Sequence, residues 1–155
     1  MGGQSGKSKR RSAGNRRNPS PPDEFVLFLD ENLCNCQPVL KVLGEAGVKY
    51  ERHLDHWPAG TADEVWIPEV GRQGWILLTR DQSIRYNELE LRQIKLSNVR
   101  EFVILGGNLN RDELAHLLRS TLPAMKRMCA KHNAPFIVSV TKSGHLELRY
   151  PRKSK

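Results

Sequence analysis

Two short apolar runs in the chain end on aspartates. Val26 to Leu29 lies in FVLFLD, which ends in Asp30, and Trp75 to Thr79 lies in WILLTRD, which ends in Asp81. Between them, Asp63 opens a segment with helical character. Carboxylates supply the oxygen ligands that a hard divalent cation such as Mg²⁺ or Mn²⁺ takes, and such an ion keeps waters that can be activated as nucleophiles. Without a cation, acids gathered at one place raise one another's pKa, so their convergence asks for a counter-ion. Each acid also has a plainer reading. Asp63 with Glu64 complements a helix dipole, and Asp30 and Asp81 cap loops after strands. It is their joint occurrence in one topology that favours a metal site. Arg80 and Arg85 flank Asp81 and are either solvated surface charges or bidentate partners for phosphate oxygens, a geometry lysine cannot copy. His53 and His56 fall in the loop after the second strand and could orient a water or a leaving group, or be structural. Trp57, Trp66 and Trp75 read as core or rim packing, with base stacking by Trp57 as the alternative.

The elements that must position these residues are legible in the hydropathy pattern. A continuous apolar run marks a strand buried on both faces, and such strands belong to parallel sheets whose ligand sites lie beyond their carboxyl ends. After the first strand a helix is expected from about residue 35 to 46, stopped by Gly47. Residues 48–54 alternate enough for a second strand. Thr61-Ala62-Asp63-Glu64 has capping-box spacing and opens a helix, in which Pro68 predicts a kink or a restart. Asn87-Glu88-Leu89-Glu90 starts another helix toward Leu96, and residues 99–105 form the fourth strand. Asn110-Arg111-Asp112-Glu113 caps a long amphipathic helix to about Lys131. Residues 136–140 and 145–150 bracket Lys142-Ser143-Gly144 as a closing hairpin. The pattern is α/β: a three-layer α/β/α sandwich with a mainly parallel central sheet and a C-terminal β-hairpin.

Composition bounds what else the chain can be. With 155 residues, 38% hydrophobic and 27% charged, it suits one domain with a real core. No run is long and apolar enough to cross a bilayer, and residues 1–22 lack the apolar stretch of a signal peptide, so a cytoplasmic protein without membrane partners is expected. Cys34, Cys36 and Cys129 lack the pairing of a zinc site or a disulfide frame and read as buried or idle thiols. The net charge of +8 is unevenly placed. Ten of the 25 basic residues lie near the two ends, leaving 15 against 17 acidic ones in the body. Residues 1–22 are Gly, Ser, Pro, Asn and Arg rich with no acid, which predicts a disordered basic tail, followed by a folded domain over 23–150 and a short basic tail at 151–155. Such a tail is either a passive extension or a source of salt-sensitive affinity for phosphate backbones. Gly2-Gly3-Gln4-Ser5-Gly6-Lys7-Ser8 imitates a phosphate-binding loop, but it has Met1 where the first glycine belongs and no strand before it.

From Phe25 to Tyr150 the chain resembles the PIN-like domains found as toxin nucleases of bacterial toxin-antitoxin pairs. The resemblance rests on linked motifs in order: Leu29-Asp30-Glu31-Asn32, His53 to Trp57, Asp63 to Val70, Gly74 to Asp81, Ile84 to Asn87 with Glu90, and FVILGGN from Phe102 to Asn108. It implies a metal-dependent ribonuclease in which Asp30, Asp63 and Asp81 hold Mg²⁺ or Mn²⁺ and RNA is the substrate. Arg80 and Arg85 would contact phosphate, and Glu31, Asn32, Asp55, Glu64, Ser83, Asn87 and Glu90 would support the site. One departure stands out: many broader relatives carry an aspartate two places after the third-strand aspartate, where this chain has Ser83. That weakens the case for a second metal. Toxin activity further implies a cognate antitoxin and leaves room for a homodimer.

Two rival classes fit parts of the pattern. A receiver-like phosphoacceptor domain also presents acids after its first and third strands, with Lys142 imitating its lysine. That fold gives no reason for Asp63 or for a terminal hairpin. The second rival is a catalytically silent nucleic-acid-binding module of the same fold, which metal-dependent cleavage of RNA would distinguish.

Overall fold

The computed structural model describes residues 24–81 and 88–151, with only the backbone described at Asp81. Its elements run β1 (Val26–Leu29), α1 (Gln37–Glu45), β2 (Lys49–Arg52), α2 (His53–His56), α3 (Asp63–Gln73), β3 (Ile76–Asp81), α4 (Glu88–Ser97), β4 (Arg100–Leu105), α5 (Arg111–Lys131), β5 (Phe136–Val140) and β6 (Leu146–Tyr150). The strands form one sheet in the order β2-β1-β3-β4-β5-β6. Every neighbouring pair is parallel except β5 and β6, which close as an antiparallel hairpin. The expected α/β sandwich is therefore the one found.

The chain adds β2 on one side of β1 and then returns to add β3 on the other. This reversal leaves a crevice beyond the carboxyl ends of β1 and β3, the place where open α/β sheets bind ligands. All four residues of β1 are buried because strands pair on both edges and helices cover both faces. On one face Leu27, Leu29, Ile76, Leu78, Phe102 and Ile104 pack against α1 and α5. On the other, Phe28, Leu77 and Val103 pack against Trp66, Ile67 and Val70 of α3 and Ile94 of α4. A Cβ on Gly71 would lie 1.9 Å from the Ser97 carbonyl oxygen, so only glycine lets α3 approach the end of α4 this closely.

Several local expectations need correction. The second strand is shorter than 48–54, because the chain turns inward at His53 and winds one helical turn. The Thr61 capping box does not form: Ala62 is the N-cap without a side-chain bond, and the Thr61 hydroxyl donates instead to the Pro58 carbonyl at 2.7 Å. Local turn closure has outcompeted the helix for that hydroxyl. Helix α3 runs unbroken across Pro68, whose missing N–H leaves the ladder one bond short without ending it. Strand β3 continues through Arg80 and Asp81, since its pairing with β4 extends to Ile104 and Leu105. The Asn110–Glu113 box does form, with Glu113 N–H donating to Asn110 Oδ1 at 2.8 Å and Asn110 N–H to Glu113 Oε1 at 2.9 Å. Gly47 follows α1 at φ 70, as a residue just past a helix end commonly does. The cap expected at Asn87 lies outside the described residues. Among the described residues no helix is long and apolar enough to cross a membrane.

Candidate active site

Asp30 is the first residue beyond β1, and its N–H donates to the Leu78 carbonyl at 3.4 Å. The carboxylate turns back on its own chain, where Oδ1 accepts the N–H groups of Asn32 at 3.1 Å and Leu33 at 3.2 Å. These two bonds favour the charged form, yet burial outweighs them. With Glu90 and Glu31 adding repulsion, the Asp30 carboxyl is pushed up to about 7.

The same edge holds an acid that motif reading passed over. Glu101 in β4 is 1% exposed. Its Oε2 accepts the Thr79 hydroxyl at 3.3 Å, and its carboxyl is hydrogen-bonded to that of Glu90 in the first turn of α4. Burial above all, then Glu90, raises Glu101 well above the ordinary carboxyl range, and Asp30 adds to the rise. The pleat explains the grouping. In register Phe28 lies beside Leu77 and Leu77 beside Glu101, so Asp30, Thr79 and Glu101 share the face covered by α3 and α4. The one available signal was an acid directly before the apolar run from residue 102 to 105, within the expected fourth strand.

Asp63 enters from the start of α3. Burial raises its carboxyl, Glu64 adds to this, and a hydrogen bond with the Trp66 side chain works the other way. Glu64 itself is exposed. Glu31 lies within electrostatic reach of both Asp30 and Asp63, and its Oε1 accepts the Gly60 N–H at 3.1 Å, tying the turn before α3 to the end of β1.

His53 is not a loop residue. It is 1% exposed, set edge-on to Trp66 with ring centroids 5.2 Å apart, and flanked by Phe28 and Trp57. Burial lowers its pKa despite Glu31 and Asp63 nearby, and neither ring nitrogen has a hydrogen-bond partner among the described residues. This environment favours the structural reading of His53. His56 pairs with Glu51 at 2.8 Å. Trp66 is core, while Trp57 and Trp75 are partly buried at the rim of the same aromatic group.

Other predicted positions are engaged elsewhere. Asp55 accepts from Arg52 at 3.1 Å, and Arg52 also holds the Cys34 carbonyl. Arg80 points to the opposite face from Thr79, where its Nη2 donates to the carbonyls of Gly106, Gly107 and Leu109. That clamps the loop between β4 and α5, and the phosphate contact predicted for Arg80 has no support in these bonds. Ser83, Arg85 and Asn87 lie outside the described residues, as does the side chain of Asp81. The three cysteines are free and buried.

Among the described residues no three carboxylate, imidazole or thiol groups stand close enough to hold an ion. The chemistry of the donor set nonetheless fits a hard cation. Mg²⁺ asks for one or two carboxylates, with waters and substrate phosphates completing its shell. Asp30 offers oxygen ligation where burial and neighbouring acids make an added positive charge favourable.

Comparison with known proteins shows the family of the chain. A family profile described as a PIN-like domain matches residues 25–106, more than half of the chain. The chain is also 27% identical over 118 residues to a Mycobacterium tuberculosis protein named "Putative ribonuclease VapC45", covering 74% of this chain and 84% of that protein. No solved structure matches at comparable significance. The profile spans β1 through β4, and so takes in Asp30, Asp63, Asp81, Glu90 and Glu101, and it sets aside the receiver-like alternative. The chain belongs to the PIN-like domain family.

Proposed function

We propose that this protein is a metal-dependent ribonuclease that hydrolyses RNA phosphodiesters in the cytoplasm as the toxin of a toxin-antitoxin pair. The observation that carries the reading is the Asp30 carboxyl, half-sequestered at the β1–β3 crevice of a PIN-like domain and raised to about 7. The similarity to a protein with ribonuclease in its name supports RNA as the substrate. Asp30, Asp63 and Asp81 would hold Mg²⁺ or Mn²⁺, which supplies charge neutralisation and water activation at neutral pH. The chain's own part is preorganisation. Two backbone N–H groups fix the Asp30 carboxylate, Glu31 holds the turn that delivers Asp63, and the Trp66 side chain orients Asp63 itself. A cognate antitoxin would act by occluding this edge.

Asp30→Asn should abolish cleavage of single-stranded RNA while leaving the protein folded, because the amide keeps the shape but not the charge. Chelation of divalent ions should have the same effect on the wild type, and added Mn²⁺ should restore it. Full activity of Asp30→Asn, or cleavage indifferent to chelation, would overturn the assignment.

A further inference from the structure

The candidates outside the Asp-based site are an open cleft, an exposed apolar stripe and a buried acid. The cleft, about 650 Å³ between the start of α5 and the hairpin turn at Lys142, mixes Asp112 and Glu113 with Lys142 and favours no ligand chemistry. Leu89 and Leu96 are exposed on α4, with nothing to identify an occupant. The buried acid goes further.

We infer that Glu101 is a positioning residue, the middle of a hydrogen-bonded chain from Thr79 through Glu101 to Glu90 that sets the Glu90 carboxylate beside Asp30. The inference rests on the proposed cation-dependent reading of this edge. Its warrant is cost. A carboxyl group 1% exposed in the centre of a sheet is expensive unless its hydrogen bonds are satisfied, and an apolar side chain in that position would pack without penalty. Here both ends of the group are occupied: the Thr79 hydroxyl donates from the adjacent strand, and Glu90 meets it from α4. A bond between two carboxyl groups requires one proton between them, which lets two acids approach where two carboxylates would repel. Thr79 is itself 8% exposed and two residues before Asp81, so the chain links the interior of β3 and β4 to the edge where Asp30 stands. Partners that orient the residues around a cation commonly change its affinity when removed, although they never touch it.

The test uses the full chain with Glu101→Leu, Glu101→Gln, Thr79→Val and Glu90→Gln. The readouts are the Mn²⁺ concentration that half-maximally raises the melting temperature and, separately, kcat and KM on single-stranded RNA. Glu101→Leu should raise the Mn²⁺ midpoint about tenfold and lower kcat with little change in KM. Glu101→Gln, which still offers one donor and one acceptor, should recover most of the loss. Glu90→Gln combined with Glu101→Leu should lose no more than the worse single variant, because both break one chain. Should Glu101→Leu fail to fold, Thr79→Val carries the same expectation at a severalfold loss. A wild-type response to Mn²⁺ that Glu101→Leu and Thr79→Val leave unmoved, or additive losses in the double variant, would overturn the positioning role alone. A wild type indifferent to Mn²⁺ in both readouts would overturn the cation-dependent reading and this inference with it.

Discussion

The two faces of the sheet are built for different ends. Against α1 and α5 the buried layer is large and mainly aliphatic, with Phe102 and Phe136 set edge-on within it, and α5, with 21 residues and a complete capping box, packs Leu114, Leu117, Leu118 and Leu122 into it. The exposed end of that face is tied down by Arg80 on the loop before α5. Against α3 and α4 the apolar layer is smaller and richer in aromatic rings, and at its upper edge it takes in Asp30, Glu101, Thr79 and the imidazole of His53, which has no hydrogen-bond partner among the described residues. Polar groups in such a place cost stability unless neighbours replace the water they lose, as Thr79 and Glu90 do for Glu101 and no described residue does for the His53 ring. The contrast separates a face packed almost wholly by apolar side chains from one whose edge gathers ionisable groups.

The largest effect that would break this comparison is on pH-dependent stability. A carboxyl with pKa 3.8 in the unfolded chain and about 7 in the folded one binds its proton more tightly when folded. Its contribution is full below the lower value and is lost as pH rises through the upper, so the cation-free protein should lose up to about 4 kcal/mol across that window. Glu101 and Asp63 are shifted in the same direction, whereas His53, held neutral by burial, opposes the trend below its ordinary 6.5. Urea unfolding at pH 5 and pH 8 should therefore be compared between wild type and Asp30→Asn, and the difference in slope belongs to Asp30. Mn²⁺ should restore stability at pH 8 in the wild type only. Equal slopes for the two proteins would mean that Asp30 is no more buried in function than a surface acid.

A smaller effect is expected on the other face. Leu118 is fully buried on α5, and Leu118→Ala should lose about 3 kcal/mol of stability through lost burial and the cavity left behind. Cleavage per folded molecule should be unchanged, since α5 lies across the sheet from Asp30. Chemical unfolding paired with single-turnover cleavage at low temperature measures both. Impaired cleavage by the folded fraction would show that the faces are coupled. The smallest expected effect is at Asn110, where Asn110→Ala removes one half of the capping box and should cost about 1 kcal/mol with no change in pH slope.

The edge chemistry was only partly visible in the residue order. Asp30 could be found because a buried strand ends on it, and α5 because its cap, Asn110 with Glu113 three places on, is a local bond between near neighbours. The mainly parallel sheet with its closing hairpin follows almost as directly, since apolar strands alternating with helices call for parallel pairing, whereas the strand order came only from the structure. The capping box at Thr61 had the same local spacing and yet did not form, and the hydroxyl donates instead to the Pro58 carbonyl of the preceding turn. Glu101 and His53 show what only tertiary structure decided. Nothing in their sequence neighbourhoods states that water is excluded from them; that follows from α3, α4 and three strands closing around them. Arg80 and Asp81 are adjacent in sequence, but the two-residue period of β3 sends Arg80 to the α5 side, away from Thr79 and the acids. Residue order could supply the ionisable groups, because their identity is covalent. Desolvation and partnership set what those groups do, and both arise only when distant segments pack.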